Sequence, residues 1–397
     1  MITKIKNGRI ILADHIIDGY SLYFENGKIL GVFNDHAPHA PASDREIDAS
    51  GRFVSPGFVD IHTHGAGGYD FLDCEAEGFA KIAQTHAKFG TTSLVPTATS
   101  GSLEELLEMF SAYRRAKTRA EKITDGADFL GVHLEGPYFA PSQKGAQDEK
   151  YVRGFNRDEY LKILELGGKD IVRWSAAPEL DGAEEFAGEL VKRRILPSIG
   201  HSDADSDDVE RAYAAGFTHV THLYSCTSGV HRKNALRYAG IIESAYLIDG
   251  MTVEIIADGI HLPPALLKLV YKIKGAGHTA LVTDSMRAAG MPEGKSILGS
   301  KKNGIEVIVE DSVAKMPDKS CFAGSVATTD RLVRNMVNLA GVSLTDAVKM
   351  ASETPARIIG SSNKGSLERG KDADIIMFDE NIHVTSVFVK GKEVFGE

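Results

Sequence analysis

The residues with the most chemistry in them lie in one short run, Asp60-Ile61-His62-Thr63-His64. Apolar and β-branched residues alternate with Asp60, His62 and His64, so a strand here carries those three side chains on one face. Two imidazoles at i and i+2 can converge on one point, and the chemistry such a pair suits is metal ligation. Read alone, the pair could equally be two of the chain's fourteen histidines that happen to be neighbours. What decides is whether other ligands can join them.

Several can. Glu135 closes the run Val132-His133-Leu134-Glu135, His201 follows Ile199-Gly200, His222 follows Val220-Thr221, Asp258 and His261 follow the run 251–258, and Asp284 follows Val282-Thr283. One polar group at a strand end commonly caps or hydrogen-bonds. Four histidines (His62, His64, His201, His222) and two carboxylates (Glu135, Asp284) at one rim would be poorly satisfied unless they met a cation. Imidazole and carboxylate without thiolate suit a catalytic Zn2+ or Fe2+ that keeps positions open for water. His133 has a weaker claim, as a partner behind the ligands. His219 is out of phase with His222 and reads as structural, while His86, in a helix, and His278, before a strand, read as surface residues.

The elements that must position these groups are short apolar strands near 58–64, 92–99, 128–135, 171–177, 195–201, 219–224, 251–258 and 279–284. Amphipathic helices near 77–89, 102–117, 156–166, 183–194, 205–215 and 263–274 separate them, with N-caps at Ser102, Asn156 and Asp205. Eight alternations predict an α/β chain folded as a (β/α)8 TIM barrel, where chemistry sits on the loops after the strands. A doubly wound sheet needs a Gly-rich phosphate turn after its first strand. Gly65-Ala66-Gly67-Gly68 has the glycines but follows a His-x-His strand, which ranks that fold second.

Both chain ends read as β. Residues 2–12 and 20–33 alternate around an Asn26-Gly27 hairpin turn, and the tail has strands at 373–378 and a hairpin over 386–395. Neither end could bury both its faces alone, so residues 1–56 and 362–397 are expected to form one small β-sandwich domain beside a barrel catalytic domain at 57–361. Pro38 and Pro41 break any regular element in 35–41, leaving His36 and His39 as solvated loop residues. Between barrel and tail, 296–320 has β character at 305–309, followed by helices near 326–340 and 344–353.

A net charge of −10 with both signs interspersed provides no footprint for nucleic acid or an anionic membrane. Cys74, Cys226 and Cys321 are too few and too scattered for a disulfide framework, which points to a reducing cytoplasm. The start shows no signal-peptide pattern, and no apolar stretch reaches the ~20 residues a membrane span needs.

The motifs Pro56-Gly57-Phe58-Val59-Asp60-Ile61-His62-Thr63-His64-Gly65, His133-Leu134-Glu135-Gly136-Pro137, Gly200-His201-Ser202, Thr221-His222-Leu223, Ala257-Asp258-Gly259-Ile260-His261 and Thr283-Asp284, with the tail Gly365-Ser366-Leu367-Glu368-Arg369-Gly370-Lys371-Asp372-Ala373-Asp374, together resemble the N-acetylglucosamine-6-phosphate deacetylases of the amidohydrolase superfamily. The resemblance implies that Glu135, His201 and His222 bind a principal metal. His62 and His64 would help hold a second, with Glu135 bridging; members carry one ion or two. It further implies Asp284 as general acid and base, His261 as a substrate contact and Gln147 as a polar residue near the substrate. Departures concern recognition: Ser225-Cys226 stands where the family has Asn-Ala, and His231-Arg232-Lys233 where it has His-His-Arg. Arg232 or Lys233 could meet a phosphate, although Lys lacks the fork of Arg.

The implied reaction releases acetate and glucosamine 6-phosphate. Rival readings are a deacetylase of another acylated amino sugar such as N-acetylgalactosamine 6-phosphate, a cyclic amidase, or a scaffold that lost its metal. Cyclic amidases bridge two metals with a modified lysine on a barrel strand, and 171–177 has no lysine. A metal-free scaffold should lack ligands, and none is missing here. Family members are commonly homodimers in which a neighbour completes the phosphate pocket, a role expected of segment 226–240.

Overall fold

The expected strands form as neighbours: β1 (Phe58–Thr63), β2 (Thr91–Ala98), β3 (Val132–Glu135), β4 (Ile171–Ala176), β5 (Leu196–Ile199), β6 (His219–Val220), β7 (Thr252–Ile255) and β8 (Thr279–Leu281). Each pairs in parallel with the next. Just past β8 the chain returns to β1, where the Asp284 N–H donates to the His62 carbonyl at 2.9 Å and Thr63 bridges Ser285. That contact all but closes a (β/α)8 barrel. The structure, a computed structural model, describes every residue except 37, 39 and 397, so the expectation for His39 lies outside the described residues.

Every residue of β1 and β2 is buried, as in parallel strands covered on both faces. Alternation sorts them. Val59 and Ile61 pack in a cluster with Ala356, whereas Asp60 and His62 turn the other way and bond to Thr283 and Glu254. The outer layer comprises α1 (Ala76–Ala87), α2 (Leu103–Lys122), α3 (Arg157–Gly167), α4 (Ala183–Lys192), α5 (Ser206–Ala215), α6 (Ile241–Leu247), α7 (Pro264–Lys274), α8 (Thr329–Asn338), α9 (Leu344–Ala351) and α10 (Glu353–Ile358). Ser102, Asn156 and Asp205 cap α2, α3 and α5 with their side chains. Each such cap contributes ~1 kcal/mol. Trp174, Phe186, Tyr160 and Tyr138 interlock between β4 and the helices.

Three expectations need correction. The run 128–135 is interrupted, with Asp128–Phe129 and β3 separated at Gly131, whose φ of +147° breaks the strand. The strand expected over 219–224 stops at Val220, because positive φ at His222, Tyr224 and Cys226 coils the chain into a turn. His86 is buried rather than on the surface, since it shares the inner face of α1 with Phe79, Ile82 and Ala83. Its Nε2 lies 3.1 Å from Thr63 Oγ1 and 3.3 Å from Ser285 Oγ.

The termini build two sheets. Ile2–Lys6, Tyr20–Glu25, Lys28–Asn34 and Arg45–Asp48 form one. Arg9–Ile11, Ile16–Ile17, Phe53–Pro56, Ile375–Phe378, Val384–Val389 and Lys392–Gly396 form the other. Ile5, Leu22, Phe24, Val54, Ile375 and Phe388 fill the space they share. At the turn, φ of +50° at Asn26 and +76° at Gly27 is the conformation that Asn-Gly favours. A three-stranded antiparallel insertion, Gly294–Leu298, Ile305–Glu310 and Val313–Lys315, follows β8. The Arg287 guanidinium ties it down through the Ile297 carbonyl at 2.8 Å and Asp73 at 3.1 Å.

The tail is pinned to the barrel by charge. The buried Lys364 ammonium lies 2.8 Å from Asp374, 3.0 Å from Asp372 and 3.2 Å from Asp128. Burial pushes the carboxyls of Asp128 and Asp372 up, but lysines outweigh it and hold them below the usual carboxylate range. Their contribution is therefore present above a pH of about 4 and lost as acid takes the pH through the lowered values. Lys364→Met strands the buried Asp374 beside an apolar side chain, while Asp128 and Asp372 lose one of their two lysines and keep Lys390 and Lys28. It should cost ~3–5 kcal/mol in urea unfolding at neutral pH, and less near pH 5, where the stranded group can take up a proton.

Candidate active site

The expected ligands meet at the end of the barrel where the strands finish. Glu135 ends β3, His62 lies within β1 and His64 just beyond it, while His201, His222 and Asp284 sit on the turns after β5, β6 and β8. His201, His222 and Asp284 have φ of +50°, +27° and +45°. Such conformations cost roughly 1–3 kcal/mol each and persist where the surroundings impose them.

Two groups result that could each hold a metal ion, His62 with His64 and Asp284, and Glu135 with His201 and His222, all buried, with the candidate ligand atoms of each within 4.8 Å of one another. Glu135 touches both sets. Its Oε1 lies 3.0 Å from His222 Nε2, 3.2 Å from His201 Nε2 and 3.4 Å from His62 Nε2, while Oε2 is 3.3 Å from His64 Nε2. Asp284 Oδ1 is 3.1 Å from His64 Nε2 and 3.4 Å from His62 Nε2.

The ring orientations explain what these contacts are for. His62 Nδ1 donates to Glu254 at 2.7 Å, His201 Nδ1 to the Gln143 carbonyl at 2.8 Å and His222 Nδ1 to the Ser225 carbonyl at 3.0 Å. With the proton held on Nδ1, each neutral ring turns a bare Nε2 toward the carboxylates. A lone pair and a carboxylate oxygen repel unless a cation lies between them. His62 Nε2 shows this most plainly: it is buried with carboxylate oxygens at 3.4 Å on two sides, yet is aligned to hydrogen-bond neither. A tetrahedral ion with bonds of 2.0–2.1 Å has ligand-to-ligand edges of about 3.3–3.4 Å, close to these spacings. The residues fit a divalent metal.

Without a metal, protons do the same work. Burial disfavours a charged His62 ring, but Glu135, Asp284 and Glu254 outweigh it and lift its pKa to about 9. His64 and His201 are raised well above the usual histidine value against the same burial, His64 by Asp284 and Glu135 and His201 by Cys226 and Glu135. For Glu135 and Asp284 burial acts upward, but the imidazoles prevail and hold both below the usual carboxylate range.

A cavity of ≈520 Å3 opens in front of the cluster, lined among others by Gln147, Ser225, Cys226, His261, Lys319 and Phe322. That volume suits a small polar ligand. His261 is oriented by Asp258, 2.7 Å from its Nδ1, and its ring lies 4.5 Å from that of Phe322. Gln147, in the cavity lining, also braces the cluster: its amide donates to Glu135 at 3.0 Å and accepts from the Ser100 N–H at 2.8 Å. Arg232 and Lys233 are not brought to the cavity of the single chain; they lie on an exposed hairpin, His231–Lys233 with Leu236–Tyr238.

Behind these residues runs a polar network whose charged members, Arg173 and Glu254, sequence reading missed. Arg173 on β4 donates to Glu254, Ser198, Thr221 and the Ile61 carbonyl. His133 bonds to Ser175 at 2.7 Å and packs edge-on to His62 with ring centres 4.6 Å apart, and His219 is structural, bonded to Glu254 and Thr252. A lone acid or Arg in an apolar strand reads as a solvent-facing residue until barrel closure turns it inward.

A family model described as the amidohydrolase family matches residues 53–394. An N-acetylglucosamine-6-phosphate deacetylase of Lysinibacillus sphaericus is 32% identical over 388 residues, covering 98% of this chain and 96% of its own. An N-acetylgalactosamine-6-phosphate deacetylase of Escherichia coli O157:H7 is 31% identical over 385 residues, 97% of each chain. Among solved structures, a mutant N-acetyl-D-glucosamine-6-phosphate deacetylase of Mycobacterium smegmatis in complex with N-acetyl-D-glucosamine-6-phosphate superposes with a TM-score of 0.88 and 29% identity, covering 100% of this chain and 99% of that one.

Loading the metal-free chain with a divalent ion should expel protons. Below a pH of about 9 His62 carries an extra proton that a metal must displace; above it the proton is already gone. Titration calorimetry in buffers of different ionisation enthalpy should show at least about one proton released per chain at neutral pH, declining as the pH rises through about 9.

Proposed function

Because the chain belongs to the amidohydrolase family, we propose that it is a metal-dependent deacetylase that hydrolyses N-acetylglucosamine 6-phosphate to glucosamine 6-phosphate and acetate. The observation that carries this is the set of three imidazoles whose Nδ1–H is already committed, so that their Nε2 atoms converge on Glu135 beside an ionised Asp284 at the floor of a cavity. Glu135, His201 and His222 would hold one ion and His62, His64 and Asp284 a second, with Glu135 shared. Zn2+ or Fe2+ suits this set of N and O donors.

A divalent metal bound there supplies Lewis acidity, lowering the pKa of water toward about 7. Asp284, held ionised by His62 and His64 against burial, takes the proton of the attacking water. An amine leaves poorly as an anion, so Asp284 passes that proton to the amide nitrogen as the C–N bond breaks. His261, fixed by Asp258, keeps its Nε2 for the substrate. Gln147 holds Glu135 in place through its Oε2.

We place the sugar in the ≈520 Å3 cavity against Phe322 and Ser225-Cys226. The phosphate would meet Arg232 or Lys233 on the exposed hairpin of a second copy in a homodimer. Residues 1–56 and 362–397 are read as a sandwich domain beside a catalytic barrel at 57–361. A cytoplasmic setting accords with Cys74, Cys226 and Cys321, which form no disulfide; among the described residues no helix is long and apolar enough to cross a membrane.

Two measurements test the reading. Rates on the 6-phosphates of N-acetylglucosamine and N-acetylgalactosamine and on the free sugars, with Zn2+ or Fe2+ supplied, should be highest for the gluco phosphate. A faster galacto phosphate would move the assignment to the epimer, and equal rates without phosphate would overturn the phosphosugar assignment. Asp284→Asn should lower kcat by ~10²–10⁴-fold while the ion at Glu135, His201 and His222 stays bound; near-normal turnover would remove Asp284 from its role.

A further inference from the structure

We infer that Glu254, on β7, is a positioning residue for the His62 and His64 side of the centre: it fixes which nitrogen of His62 faces the cluster and so governs whether a second divalent ion is held there. The inference rests on the metal reading proposed above. Glu254 is 0% exposed and does not itself line the cavity. Both of its oxygens are nonetheless fully engaged. Oε1 accepts from His62 Nδ1 at 2.7 Å and from the His222 N–H at 3.1 Å, and Oε2 from Arg173 Nη1 at 2.5 Å and from His219 Nε2 at 3.2 Å.

An ionised carboxylate can only accept, so His62 must keep a proton on Nδ1, and Nε2 is the nitrogen it can offer to a cation. His201 and His222 receive the same orientation from the backbone carbonyls of Gln143 and Ser225. His62 alone of these three is held by a charge, and an anionic acceptor behind an imidazole makes the ring a stronger donor to a cation in front. Glu254 also reaches the backbone of His222, so one side chain ties together the turn that carries a ligand of one set and the strand that carries a ligand of the other. Arg173 immobilises it, bound in turn to Ser198, Thr221 and the Ile61 carbonyl. The bland alternative is a buried ion pair, Arg173 with Glu254, that holds the barrel together and nothing more.

Metal content after dialysis and the two stepwise affinities for Zn2+, measured on the full chain by mass spectrometry and calorimetry, separate these. The wild type should hold two ions. Glu254→Gln should weaken one of them by roughly 10–100-fold and leave the other unchanged, and the gain in melting temperature from the second ion should fall with it. Because that single substitution leaves Arg173 without its anion, the charge-balanced pair Arg173→Gln with Glu254→Gln provides the same readout with no stranded charge. Two unchanged affinities, equal weakening of both, or failure of both variants to fold would assign Glu254 to structure alone and overturn the inference. A wild type that holds a single ion overturns it while sparing the metal reading, and one that holds none removes both.

Discussion

The carboxylate of Glu135 lies buried where four imidazole nitrogens converge at 3.0–3.4 Å, and the rest of the molecule is arranged around making that charge tolerable. With 3% of its surface exposed, water solvates it poorly, so neutralisation must come from groups delivered by other strands. A parallel barrel can do this because its strands all end at one rim and each turn can project one side chain inward. The turns that do so are held in unfavourable conformations at His201, His222 and Asp284. The cost, roughly 1–3 kcal/mol each, is of the order that a few buried aromatic side chains such as Trp174, Phe186 and Tyr160 offset in the layer outside the strands. Site and core are thus coupled: the apolar shell stabilises the polar interior.

Inside the barrel, polarity continues well below the ligands. His62, Glu254, Arg173, Thr221, Ser175 and His133 form a continuous chain of hydrogen bonds across strands β1, β3, β4 and β7 and the β6 turn. Such a chain is tolerated in a dry interior only if every member is satisfied. It has a directional consequence, since each acceptor fixes where its neighbour's proton must sit. The nitrogen of His62 that faces the rim is therefore decided by Glu254 and Arg173, groups that never meet solvent.

What the sequence disclosed follows from this geometry. Strand alternation placed Asp60, His62 and His64 on one face, and polar residues closing apolar runs at Glu135, His201, His222 and Asp284 marked the rim, because both signals are local. The caps at Ser102, Asn156 and Asp205 were legible for the same reason. Glu254 and Arg173 were not, since one charge in an apolar run has the same appearance whether it faces water or a barrel axis, and only closure of β1 against β8 tells which. His86 could have been found: its spacing from Phe79, Ile82 and Ala83 is that of one helix face. Gln147 lines the cavity, and its amide is occupied by Glu135 and Ser100, which no local signal discloses.

Recognition and chemistry are carried by different parts of the same loops. At Ser225 the centre uses only the backbone carbonyl, which accepts from His222 Nδ1; the side chain is free to face the cavity and to vary without disturbing the ligand. Cys226 is constrained differently. Gly145, at φ +57°, packs so closely that a Cβ there would fall 2.7 Å from the Cys226 sulfur, so the size of the residue at 226 and the glycine at 145 are matched to each other. The remaining wall, with Lys319 and Phe322, follows the insertion after β8 and is held to it by the bridge between Lys315 and Phe322 and by Lys319 against Glu310. A pocket whose wall includes side chains such as Ser225 and Phe322, hydrogen-bonded to none of the six cluster residues, can change what it accepts without altering the cluster, which is why residues so readily recognised in the sequence say so little about the molecule they would act on.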